Sequence, residues 1–126
     1  MNINHTEIEA AKKRFHYATR KLFYTHDDYI KHLRRVDDEH YADFHISKKN
    51  ELESRLYTLI IPEFLDAQRE YTNLVAPLVG VHDFEYIEIV NSWHEFMLEA
   101  ANLIRRSAIQ ANIIPDICMN DVYEDE

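Results

Sequence analysis

The 126-residue chain carries one glycine, one cysteine and three prolines. Glycine supplies positive φ at no steric cost, so a fold built on many tight hairpins would lack the residue it needs. The single glycine also excludes a glycine-rich phosphate loop. A lone cysteine, Cys118, excludes an internal disulfide and fits a reducing compartment, with cytoplasm as the expected location. The nearest histidine in sequence is His94, so no Cys–His nucleophile pair is suggested by proximity. No apolar run approaches the roughly 18 residues of a membrane-spanning helix. The opening stretch MNINHTEIEAAKKRF shows no apolar core of a signal peptide.

What is present suits a single packed domain. Hydrophobic residues make up 46% of the chain and charged residues 29%, too apolar for global disorder. The net charge of −9 is unevenly placed. Residues 1–55 hold 11 Lys/Arg against 10 Asp/Glu, whereas residues 56–126 hold 3 against 13. So acidic a half repels phosphate backbones and anionic lipid, which disfavours nucleic acid or membrane as the partner. It suits docking on a basic protein surface, where charge speeds encounter and excludes wrong partners.

Apolar spacing is helical almost throughout. Thr6-Glu7-Ile8-Glu9 has the form of a capping box, and Ile8, Ala11, Phe15, Ala18 and Leu22 make one stripe behind it. The stripe continues in phase through Tyr29, Leu33, Val36, His40 and Phe44. Thr25-His26-Asp27-Asp28 looks like a fresh helix start, which places a break or kink at 25–28. Positions 26–50 are mostly polar and are expected to protrude or to be well solvated. Ser47 is the next expected cap, for a helix over 48–76 kinked near 58–62 by Pro62. Pro77 and Gly80 end it, and Asp83 caps a last helix over 84–112 whose apolar face includes Ile87, Val90, Trp93 and Ala100. The expected fold is all-α, an elongated antiparallel bundle of three or four helices. It forms a single domain over 1–126, with a regular core at about 6–112 and a tail at 113–126 with an acidic tip.

Two chemistries compete with a binding role. Helical bundles build di-iron centres from Glu-x-x-His pairs, but the nearest match is a single Asp37-x-x-His40. HEPN-type ribonucleases use an Arg followed four to six residues later by His, a spacing met by Arg20…His26, Arg34…His40 and Arg35…His40. The tyrosine usual two residues after that His is replaced by Ala42, so the spacing stands without a family resemblance. An Arg/His ribonuclease and a metal-binding bundle are therefore the alternatives.

The favoured expectation is a non-enzymatic module without a cofactor that binds another protein, as an inhibitor, immunity protein or adaptor does, or a second copy of itself. Eight Tyr, six Phe and one Trp make 12% of the chain, and Tyr17, Tyr24, Tyr41, Tyr57 and Tyr86 fall off the apolar stripe. Tyrosine offers rigid contact area with a polar tip. The predicted partner-binding residues are Glu88, Glu95 and Glu99 on the last helix with Tyr86, and Asp121, Glu124, Asp125 and Glu126 in the tail.

Overall fold

A computed structural model describes residues 4–37, 40 and 42–110. Helix α1 spans His5–Leu33, α2 spans Ala42–Arg55, a π turn spans Leu56–Ile60 and α3 spans Ile61–Val75. A 3₁₀ turn at Ala76–Leu78 leads to α4, Phe84–Gln110. No helix among the described residues is long and apolar enough to cross a membrane. The fold is an all-α bundle of three rods, because α2, the π turn and α3 follow one another without a connecting loop.

Asn4, not Thr6, caps α1. Its side chain accepts from the Glu7 N–H at 3.0 Å, and its carbonyl accepts from Ile8 at 3.1 Å. Asparagine is at least as good a cap as threonine, and it comes first in the chain. The predicted break at 25–28 does not occur: α1 runs straight through it. Nothing in that stretch removes a backbone donor, and Asp27 instead pairs along the helix with Lys31 at 3.1 Å. The chain turns at Arg34–Asp37 instead, where the Arg35 N–H donates to His32 O three residues back, tightening the last turn. The next helix begins at Ala42 rather than after Ser47.

The expected kink at 58–62 takes the form of the π turn. Pro62 has no N–H to give, and the ladder ahead of it slips by one residue, so that Ile61 N–H reaches Leu56 O. Further on, Gly80 adopts φ 86°, which permits the reversal after Pro77. Asp83 then caps α4, its carboxylate accepting from Glu85 N–H at 3.0 Å.

The rods alternate in direction. Lys21 lies 3.4 Å from Glu63, and Arg14 pairs with Glu70, so α1 and α3 are antiparallel. His5 meets Glu85 at 2.9 Å and Arg20 meets Glu99 at 2.7 Å, so α4 runs parallel to α1. The core sits among α1, α3 and α4: Ile8, Ala11, Phe15 and Ala18 pack on Phe64, Ala67, Tyr71 and Val75, with Ala100 closing the third side. Farther up, α1 continues against α2, where His32 Nδ1 and His45 Nδ1 are 2.9 Å apart. Phe44, which the apolar spacing assigns to the stripe, is exposed, and His45 takes the buried place beside it.

Candidate functional site

On α4 the core-facing stripe is Tyr86, Ile89/Val90, Trp93 and Phe96/Met97, all half-buried, with Ala100 fully buried. This corrects the sequence reading in two places. Tyr86 packs against the core instead of standing off it, and Ile87 faces outward. A helix turns by about 100° per residue, so the side opposite this stripe holds Phe84, Ile87, Asn91 and Leu98. Phe84 is 75% exposed, Leu98 64% and Ile87 41%. Three large apolar side chains thus share the outer face of one helix.

The carboxylates lie between this face and α1. Glu85 and Glu99 are engaged by His5 and Arg20, and Lys12 sits 5.0 Å over the Phe96 ring. These contacts fix the α1–α4 seam, and each exposed pair stabilises it by about 0–1 kcal/mol. Glu88 and Glu95 are exposed and make no ion pair among the described residues. Glu95 borders a surface groove with Arg20, Leu98, Glu99, Asn102 and Arg106. The structure therefore separates the predicted acidic row: Glu99 serves the fold, while Glu88 and Glu95 remain available. Asp121, Glu124, Asp125, Glu126 and Tyr41 lie outside the described residues.

The exposed tyrosines are not beside these carboxylates. Tyr17 and Tyr24, seven residues apart, occupy the side of α1 opposite its buried stripe, and Tyr57 projects from the π turn. Lys21 stands 5.9 Å over the Tyr17 ring and bridges towards Glu63. The residues that sequence reasoning missed are Phe84 and Leu98. The only signal for Leu98 was the triplet Phe96-Met97-Leu98, in which one apolar side chain too many competes for the core face.

The alternative chemistries gain no geometry. Asp37 and His40 fall in the connection after α1, both exposed, and not on one helix face. Among the described residues no three His, Cys, Asp or Glu side chains converge in a way that suits a metal ion. Arg35 is exposed in the same turn. The Tyr29 and Tyr71 hydroxyls are pushed up, chiefly by burial.

His26 is held below its ordinary value, because burial outweighs the attraction of Asp27. Below about pH 6.5 the unfolded chain therefore binds a proton at His26 that the folded chain resists, and stability falls as the pH falls through that range. Replacing His26 with Phe is expected to make the drop in melting temperature between about pH 7.5 and 5.5 shallower. Thermal unfolding of both proteins across that range checks it, and parallel curves would remove His26 from the account.

No protein-family model matches the chain, and no curated protein or solved structure shows a significant match to it.

Proposed function

We propose that this protein is a non-enzymatic module that binds another protein along the outer face of α4. The observation that supports the reading is the alignment of exposed Phe84, Ile87 and Leu98 on one helix side, flanked by Glu88 and Glu95, which make no ion pair among the described residues. Single exposed apolar residues are ordinary on any surface, whereas an aligned stripe with a polar margin is the anatomy of a contact. The partner presents an apolar strip edged by Lys or Arg. Glu88 and Glu95 steer its approach, and the apolar side chains hold it. A reducing compartment, the cytoplasm, is where we place this activity, because the sequence contains only Cys118.

The experiment compares the chain, tagged at its N-terminus, with its Glu88→Lys/Glu95→Lys variant as parallel baits. The captured partner is then purified and its binding kinetics measured. The variant is expected to associate at least about tenfold more slowly at low salt, with a smaller change in dissociation. Equal association rates for the two baits would show that this face is not the one that meets the partner.

A further inference from the structure

Towards its C-terminal end α1 presents Leu22, His26, Tyr29 and Leu33 at steps of four and three residues, which is one side of a helix. They face Glu53 near the end of α2, Leu56 and Tyr57 in the π turn, and Ile61 at the start of α3. Between these walls lies a partly enclosed cavity of about 290 Å³. An apolar cavity of about 150 Å³ is enough to hold benzene, and ligand pockets run from roughly 300 Å³ upward. The space suits a guest of about nine or ten heavy atoms.

The wall selects the charge of that guest. Among the described residues Glu53 is the one ionised side chain that lines it, and no Lys or Arg does. His26 adds no charge near pH 7, because burial keeps it neutral. The Tyr29 hydroxyl is kept protonated by burial first, and then by the nearby Glu53 carboxylate and Tyr57. The carboxylate and the two phenols therefore stand close together in one wall. Lys49 meets Glu53 at 3.7 Å, beyond hydrogen-bond length, and leaves the carboxylate able to accept from a guest. An anion would be repelled here, whereas a cationic N–H group gains a charge-assisted hydrogen bond. Tyrosine rings beside it are the surroundings in which organic ammonium groups are held.

We propose that this cavity binds a small organic ammonium ion, whose nitrogen donates to Glu53 beside Tyr29 and Tyr57 and whose apolar body lies against Leu22, Leu33, Leu56 and Ile61. Both halves of the guest are needed. The carboxylate is partly exposed, so charge alone would be screened by water. The apolar part of the wall supplies the burial that a bare ammonium ion lacks. The site is distinct from the outer face of α4 and stands or falls independently of it.

The test titrates the full chain near pH 7 with 2-phenylethylammonium and with its neutral analogue 2-phenylethanol, followed by calorimetry. One equivalent of the ammonium ion is expected to bind, about tenfold tighter than the alcohol, the difference that one charge-assisted hydrogen bond makes. Glu53→Gln should abolish that preference with helicity intact by circular dichroism, and Leu33→Trp should fill the cavity and abolish binding of both probes. Glu9→Gln, in the separate cleft that Glu9 lines with Glu85 and Glu88, should leave the preference as it is. Absence of saturable binding, equal affinity for the two probes, or a preference that survives Glu53→Gln would overturn the proposal. So would a preference lost in Glu9→Gln, since the ammonium ion would then sit in that other cleft.

Discussion

Replacing Phe15 with alanine is expected to remove about 3–5 kcal/mol of stability, the usual range for a fully buried phenylalanine. Phe15 is 1% exposed, and its ring lies 5.5 Å from that of Phe64 and 6.0 Å from that of Tyr71. Its neighbours in the core include Ala11, Ala18, Ala67 and Ala100. These small side chains already bring the helix backbones close, so little remains that can collapse into the space the ring leaves. Domains of this kind are stable by only about 5–15 kcal/mol, and the variant should lose a large part of that margin. Urea unfolding followed by far-UV circular dichroism reads the loss directly. Tyr71→Phe is the contrast: it keeps the ring and removes only a hydroxyl that interacts with Ser92, for a loss of about 1 kcal/mol. A Phe15→Ala protein as stable as Tyr71→Phe would mean that the three helices do not close on this ring.

Leu98→Glu is expected to do the opposite, leaving the fold alone and removing the partner. Leu98 is 64% exposed, so the substitution should change stability by no more than about 0.5 kcal/mol. At the centre of a contact, such a change replaces a desolvated anchor with a charge that must be buried. A weakening of about 30-fold in Kd, about 2 kcal/mol, is the expected size. Titration calorimetry with the purified partner measures it. Tyr17→Ala on the outer side of α1 should leave Kd unchanged, because that face points away from α4's exposed stripe. If Tyr17→Ala weakens binding and Leu98→Glu does not, the contact belongs to α1.

Where the sequence could be read and where it misled follows from the nature of each signal. Pro62, Pro77 and Gly80 act through their own backbone, so the π turn and the reversal before α4 fall where the residues stand. The cap-like Thr25-His26-Asp27-Asp28 carries no such compulsion. A cap residue inside a helix is merely tolerated, and packing of α1 on α2 and α3 holds the segment helical. The turn at Arg34–Asp37 contains neither glycine nor proline, which is why it left no trace in the pattern. For the candidate site, Glu88 and Glu95 were legible as acids at helical spacing, but the commitment of Glu99 to Arg20 spans 79 positions of sequence.

By itself, then, the sequence determined an all-α protein, the interruptions at Pro62 and at Pro77–Gly80, and the acidic character of the second half. Each depends on a local property: the backbone freedom of glycine, the fixed φ and missing N–H of proline, apolar spacing, or formal charge. Only the tertiary structure decided which way α4 faces. Tyr86 and Ile87 are adjacent apolar residues, and so are Met97 and Leu98, so periodicity admits either phase. The contacts α4 makes with α1 and α3 turn Tyr86 and Met97 inward, against the core. The remaining members, Ile87 and Leu98, are thereby left on the outer face with Phe84. A helix in isolation has no inside, and the choice between its faces is made by the surface it packs against.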